Sequence, residues 1–545
     1  MRKSRTSDFT PSRRDFLATT AAATAATALP LGGALAAGRA TYRRYNVMSH
    51  EGQFMLRHFA VAIRAMHQEP VTSPFNMYRY AMIHTMDCPH GNWWFLPWHR
   101  AYLGYFEQIC RKLCKFEAFT IPYWDWSNTP RIPDGMFADF LTPTTRGFIP
   151  TYAEFHSTYA SQVDAMYRGF SAAQNADLAI RNYATPADMW KDIEEPPNGP
   201  MFFDLAKARG LTPAKPQLDN FTTRSSSSAK VHESLAPIEF LLFGSDKTDH
   251  HSNMAGFAPL EAFPHNKIHN CVGGIVYNDD GTRAADNGGF MQANLSPVDP
   301  IFFLHHSNID RIWDVWTRKQ QAYNLPTTPL GADKVTWEQQ PLLFYTDGNG
   351  NNVPHRAGEY VTIGNFDYDY QPGTGEDVVP TAKVAAGEQL RSPFWDWAAG
   401  KAPPSTKARV VLGALGGPVS ASAKFTLPAA ALAANSTQFA KIVIDIPPGG
   451  TSAAYKVLLN APANGETVGI NSPNFVELLT FFGHDSMSGP ISFVVPLPRQ
   501  KAGSSLMAAA QEQTLSVVSE GGGGGLKAAQ TATGAKLLSV DIVSQ

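Results

Sequence analysis

The sequence predicts a mainly α core with long loops, followed by a C-terminal all-β domain. Three observations carry this. Apolar residues recur at helical spacing over much of the first 325 residues. After Ala402-Pro403-Pro404 the chain turns to short β-branched runs separated by Gly/Pro turns. The composition, 43% apolar, 17% charged and 11% aromatic in 545 residues, is globular with ample material for a core.

Taken in order, residues Ser12-Arg13-Arg14-Asp15-Phe16-Leu17, the Ala/Thr-rich stretch behind them and Ala34-Leu35-Ala36 read as a twin-arginine export signal, with 1–36 removed in the mature chain. That segment is too weakly apolar to span a membrane stably, and no later segment has the length and apolarity to do so. The expected location is periplasmic or secreted, with the Tat machinery as a partner. Helices are expected over Met48–Met66 (inward residues Phe54, Leu56, Phe59, Ile63 and Met66), about Pro74–Thr85, about His99–Cys114, briefly at Lys267–Cys271, and over His305–Gln321. Residues 130–230, rich in Pro, Thr and Ser, read as irregular surface excursions. A connecting region at 326–400 closes the core (37–325). Strands follow at Arg409–Leu412, Lys441–Ile446, Tyr455–Leu459 and Ile491–Pro496 within a β domain of 401–520. A Gly521–Gly525 linker and a short amphipathic run, Leu537–Val543, make a tail of 521–545.

Charge and cysteine content exclude whole classes. Forty-five Lys+Arg against 47 Asp+Glu leave −2, no basis for nucleic-acid binding, and four cysteines cannot make a disulfide scaffold. The histidines are unevenly placed. His84, His90 and His99 fall within sixteen positions, framed by Trp93, Trp94, Phe95 and Trp98. Three neutral imidazoles on one ion suit Cu, Zn, Ni or Fe. His265 and His269, at i and i+4, share a helix face. Of His305 and His306 only one can face the same point, because neighbours on a helix project about 100° apart. Asp310, one turn after His306, can orient a ligand or clamp a basic residue. Each histidine alone is ordinary. Two three-histidine sets without a competing thiolate argue for a dinuclear metal site.

The run from His90 through Phe95-Leu-Pro-Trp-His99-Arg100 to Leu103 and Glu107, with Asp299-Pro300-Ile301-Phe302 through His306 to Asp310, resembles the type-3 copper family of tyrosinases, catechol oxidases and haemocyanins. The resemblance covers about 45–325. It implies a four-helix bundle holding two copper ions, one on His84, His90 and His99, the other on His265, His269 and His306. His306 rather than His305 is the ligand by position in the motif. It further implies that Cys88 forms a thioether with His90, as in fungal tyrosinases, or else stays a free buried thiol. Cys110, Cys114 and Cys271 read as reduced core residues.

Glu261 and Asn266 match a pair that in plant enzymes is thought to hold a water that deprotonates a phenol. Counting back from Asp299 puts Ala293 where plant enzymes often carry a bulky Phe over the copper of the second cluster, so a more open entrance is expected. Trp337 to Tyr345, Tyr368-Asp-Tyr370 and Lys424-Phe425-Thr426 resemble the middle and C-terminal regions of plant polyphenol oxidases. The β domain is therefore expected to be sandwich-like and to cover the site. The implied activity is oxidation of phenols by dioxygen: a tyrosinase that hydroxylates monophenols and oxidises o-diphenols, of which melanin formation is one use. A catechol oxidase or, more remotely, an oxygen carrier are the alternatives. Phenolic small molecules and dioxygen are the expected partners, and homo-oligomerisation is left open.

Overall fold

A computed structural model describes residues 40–194, 204–285, 288–381, 405–407, 409–411, 414–415, 421–426, 437–447, 454–462, 468–482, 488–498, 511–520 and 535–545. The export signal, the turn at Ala402–Pro404 and the Gly521–Gly525 linker lie outside them. Among the described residues no helix is long and apolar enough to cross a membrane.

The first helix, α1 (His50–Gln68), starts where the Ser49 hydroxyl accepts from the Gly52 N–H. A Cβ at Gly52 would lie 1.9 Å from the Asn46 carbonyl oxygen, so only glycine fits this entry. Met55, Leu56, Phe59, Ile63 and Met66 face the core. Phe54, expected inward, is 37% exposed and packs on His58 and Phe116 at the surface. Next come α2 (Met77–Asp87), capped by the Asn76 side chain, and α3 (Phe95–Cys114), which ends at Lys115 in the left-handed region. The stretch expected to be irregular contains α4 (Tyr152–Gly169), α5 (Ala172–Ile180) and α6 (Pro186–Glu194), then the short α7 (Asn220–Ser225) and α8 (Ser228–Leu235). A π-helical turn at Glu261–His265 leads into α9 (Asn266–Gly273), and α10 runs from Ile301 to Ala322. One hydrophobic cluster joins α1, α2, α3 and α10.

Two strands that open the chain's pairing lie within this helical part, β1 (Tyr42–Arg44) and β2 (Gly256–Phe257); β1 pairs in parallel with β3 (Tyr368–Tyr370). Beyond residue 400 the described elements are all strands: β4 (Ser405–Lys407), β5 (Arg409–Val411), β6 (Ala414–Leu415), β7 (Ala421–Thr426), β8 (Gln438–Ile446), β9 (Ala454–Leu459), β10 (Phe475–Leu479), β11 (Gly489–Pro496), β12 (Glu512–Glu520) and β13 (Ala535–Ser544). They form a sheet ordered β6-β13-β8-β11-β2, with β4 also on β13, and a second ordered β10-β9-β12-β7-β5. The expected tail is thus strand β13, hydrogen-bonded along most of its length to β8.

The helical and strand-rich parts are not merely adjacent. β2, from the helical part, is the edge strand of the first sheet, pairing with Ser492 and Phe493 of β11. Phe257, Ala262 and Phe263, which lead into His265, belong to a hydrophobic cluster with residues of both sheets.

Candidate metal centre

Four helices and the segments that join them deliver six buried imidazoles to one place. His84 comes from the last turn of α2, His99 from the first turn of α3, and His90 from the loop between them. Their ring centroids are 5.3, 5.5 and 5.6 Å apart. His265 ends the π turn, His269 follows on α9, and His306 lies in α10, with centroids 4.6, 4.9 and 5.3 Å apart. The trios meet where His99 stacks on His306 at 4.4 Å and His90 on His265 at 5.6 Å.

Hydrogen bonds at the far nitrogen set the direction of four of the six rings. Nδ1 of His84 bonds the Asn294 carbonyl at 2.7 Å, that of His99 the Phe95 carbonyl at 2.8 Å, and that of His269 the Met291 carbonyl at 2.8 Å. Nδ1 of His265 bonds Oδ1 of Asn266 at 2.9 Å. Oxygen acceptors there place the proton on Nδ1 and leave the Nε2 lone pair pointing inward. Burial keeps His99, His269 and His306 well below the usual imidazole range and pushes His265 down to about 3, so all four are neutral, as ligands must be. Among the described residues, Nε2 of His99 and of His265 has no hydrogen-bond partner, and Nε2 of His269 faces Nε2 of His306 at 3.0 Å. Buried, converging lone pairs of this kind are what a bound cation satisfies. An all-imidazole donor set fits copper.

His305 also sits within 4.8 Å of the second trio's ligand atoms. Its Nδ1 accepts from the Trp126 indole N–H at 3.2 Å. An indole only donates, so the His305 proton is on Nε2, and no lone pair is left for a metal. Sequence reasoning had no way to find Trp126, which is 179 positions away.

Asp310 clamps basic residues. It accepts from Arg100 Nε at 2.6 Å, Arg44 Nη1 at 3.3 Å, and the hydroxyls of Tyr368 and Tyr370. Burial alone would raise its carboxyl, but the two guanidiniums outweigh that and hold it below the usual range. Arg100 adjoins His99, so this cluster ties α3 to α10. Cys88 is a free thiol with Sγ 3.6 Å from Nδ1 of His90, and burial pushes it up to about 12. Cys110, Cys114 and Cys271 are also unlinked.

Glu261 bridges the two halves. Its Oε1 accepts from the Gly91 N–H at 2.7 Å, beside His90, and its Oε2 from the Ser245 hydroxyl at 2.6 Å. Gly91 has φ 61° and a Cβ there would meet Met254, so the tight approach requires glycine. Burial pushes the Glu261 carboxyl up to about 8. The Asn266 backbone N–H donates to the Glu261 carbonyl, but its side chain does not meet the Glu261 carboxyl; the side-chain amide lies between His265 and the Thr480 carbonyl, 3.4 Å away. Ala293 is buried in the helical core, next to Asn294, whose carbonyl holds His84 of the first trio.

The bulk over the second trio comes from elsewhere. Phe482, just past β10, sets its ring 3.9 Å from His269, 5.1 Å from His90 and 5.5 Å from His265. It is 2% exposed. Another group absent from the sequence reading, Asp177, His250 and His251, lies behind the first trio. Both nitrogens of each of these imidazoles are already engaged, by Asp177 and the Ser252 N–H for His250, and by Asp87 and Gln340 for His251. Asp87 also accepts from Trp98, so this network braces the loop of His90.

Comparison with known proteins agrees with this geometry. Residues 58–319 match the common central domain of tyrosinase, and residues 10–30 match the twin-arginine translocation signal, which marks the chain for export across a membrane. The chain is 25% identical over 360 residues to polyphenol oxidase II of Ipomoea batatas, covering 62% of this chain and 51% of that one. It is 26% identical over 292 residues to a tyrosinase of Hahella sp. (strain CCB-MM4), covering 52% and 47%. It thus spans about half the length of these curated relatives. Its fold is similar to that of latent apple tyrosinase, with TM-score 0.53 at 17% identity over 93% of this chain and 97% of that one. A latent aurone synthase, described as a polyphenol oxidase, gives TM-score 0.56 at 15% identity over 93% and 90%. At such identities the likeness is one of fold. The matched stretch contains all six inward-facing histidines, and residues 58–319 belong to the tyrosinase family as its common central domain.

Proposed function

We propose that the protein is an exported, copper-dependent tyrosinase that hydroxylates monophenols at the ortho position and oxidises o-diphenols to o-quinones. The observation that carries this is the meeting of six buried imidazoles, four of them with Nδ1 bonded outward to oxygen acceptors so that Nε2 faces the others. One copper would be held by His84, His90 and His99, the other by His265, His269 and His306. Together the two ions would supply the electrons that reduce dioxygen.

The chain's own residues do the rest. Aromatic packing around Trp93, Trp94 and Trp98 excludes water. The Glu261 carboxyl is buried, bonded by two donors, and pushed up to about 8. A phenol has a pKa near 10. Near neutral pH such a carboxyl is mostly protonated, and its ionised fraction takes that proton with far less penalty than an ordinary carboxylate does. This supports monophenol hydroxylation over a catechol oxidase. Asn266, bonded to Nδ1 of His265, steadies a ligand beside it.

The strand-rich region from about residue 401 acts as a cover, with Phe482 as its plug. It fits a latent enzyme, released into the periplasm or beyond. The test is oxygen uptake by copper-loaded protein, before and after cleavage near Ala402–Pro404 and brief exposure to mild urea. L-tyrosine and L-DOPA are offered separately. Uptake with both, after opening, is expected. Uptake with L-DOPA alone makes it a catechol oxidase. Reversible dioxygen binding without uptake makes it a carrier.

A further inference from the structure

Strand β10 is the edge of its sheet, and the chain just beyond it meets α9 rather than another strand. Helix α9 supplies side-chain donors where a neighbouring strand would supply N–H groups. Lys267 Nζ donates to the Leu478 carbonyl, Asn266 Nδ2 to that of Thr480 at 3.4 Å, and Asn270 Nδ2 to that of Phe481 at 3.0 Å. The next residue is Phe482, with its ring against His269, His90 and His265. The segment therefore presents a peptide-linked aromatic ring to the metal centre. The Phe481 carbonyl is the acyl group on the nitrogen of residue 482.

We propose that, when this segment withdraws, the site takes tyrosine residues N-acylated by a preceding peptide in preference to free tyrosine. The inference rests on the phenol-oxidising reading above. Withdrawal of residues 480–482 strips two buried donors, Asn266 and Asn270, of their acceptors. An incoming peptide restores carbonyls at the same places. Free tyrosine cannot, because its nitrogen is an ammonium with no acyl carbonyl beyond it, and an ammonium has donors only. It would face the Asn270 amide and lie on the side of the Lys267 cation. A buried donor left without an acceptor is penalised more than a made bond is rewarded.

The first test makes the cover its own substrate. Full-length protein with Phe482→Tyr is loaded with copper and exposed to dioxygen. A peptidyl phenol plus dioxygen gives a peptidyl o-quinone plus water, so the ring gains one oxygen and loses two hydrogens, and the second oxygen leaves as water. That mass change is expected on the peptide containing residue 482, and not in Phe481→Tyr. A second test uses the opened wild-type chain with the peptide Leu-Leu-Thr-Phe-Tyr and with L-tyrosine. The peptide is expected to have the higher kcat/KM by about tenfold, and Asn270→Ala or Lys267→Met to bring the ratio towards one. An unchanged mass at position 482 in Phe482→Tyr, together with equal or better use of free L-tyrosine, overturns the inference while leaving the phenol-oxidase reading intact. An opened chain that oxidises no phenol or catechol overturns both.

Discussion

Replacing Phe482 by alanine separates unplugging from unfolding. The ring is buried, and Phe→Ala changes at buried sites destabilise by about 3–5 kcal/mol, part of it the cavity left behind. Here the cavity would open on His90, His265 and His269, where a small catechol has to bind. Phe481 is the control. It packs on Phe257 at 6.2 Å and on Phe493 at 5.3 Å, inside the hydrophobic cluster with residues of both sheets. Phe481→Ala should therefore lose a similar amount of stability without opening the centre. Chemical denaturation of both apo-proteins gives the stabilities, and oxygen uptake on catechol by the uncleaved, copper-loaded chains gives the access. The expected result is comparable destabilisation, with uptake gained only in Phe482→Ala. Equal uptake in both variants would show that general loosening opens the site. Silence in Phe482→Ala, while the cleaved wild type turns over, would show that Phe482 is not what blocks it.

Further predictions concern individual side chains. The Glu261 carboxyl is raised from 4.5 to about 8, so the stability it contributes is present below about pH 4.5 and lost as pH rises through about 8. At about 1.36 kcal/mol per pH unit this is at most about 5 kcal/mol, and urea unfolding of apo-protein at several pH values should show Glu261→Gln flattening that fall. Equal slopes in the two proteins would contradict it. Metal analysis should find two coppers per chain in His305→Gln and one in His306→Gln; a copper lost from His305→Gln would overturn the tautomer argument. Glu477 is buried, with Lys230 at 3.2 Å and Ser225 Oγ at 3.1 Å. Burial would raise its carboxyl, but Lys230 and Lys267 outweigh that and hold it low. Glu477→Gln should destabilise by about 3–5 kcal/mol and speed amide exchange at 478–482, and unchanged exchange there would argue that the latch lies elsewhere. If Cys88 and His90 are joined on copper loading in dioxygen, the peptide mass falls by two hydrogens, and Cys88→Ser abolishes that change; an unchanged mass leaves Cys88 a thiol.

The metal centre was legible because its spacing is local: three histidines on one helix–loop–helix, two at i and i+4, and one in a motif. The choice of His306 came from motif position, and the Trp126 bond supplies its physical reason. Helices α4 to α6 were hidden because they are largely exposed. In α4 only Phe155, Tyr159 and Val163 are buried, one residue per turn amid polar neighbours. Strand β13 lies where the sequence showed only a short amphipathic run, for a different reason. Its buried residues include Ala535, Leu537, Val540 and Ile542, and the step of three comes where the register with β8 shifts between Val443 and Ile444. That bulge breaks the period of two by which a strand is recognised. Nothing local distinguishes Phe482 from Phe481; only the closure of β10 on α9 does.

That closure constrains how the site can open. The residues before the π turn pair with the cover: the Ser492 N–H donates to the Ala255 carbonyl at 2.9 Å, and Lys441 reaches Asp246 at 2.7 Å. Glu261 follows β2 by four positions and His265 by eight. If the whole strand-rich region left while β2 stayed bound to β11, it would draw Glu261 and His265 with it and dismantle the second trio. Opening that preserves the centre must therefore either break the β2–β11 pairing first or move only the stretch at 480–482. The second route breaks the bonds from Asn266 and Asn270 and lifts Phe482, while leaving β2, the Glu261 bridge to Gly91 and all six histidines in place. It is the smaller change, and it exposes the donors that an incoming acylated tyrosine would use.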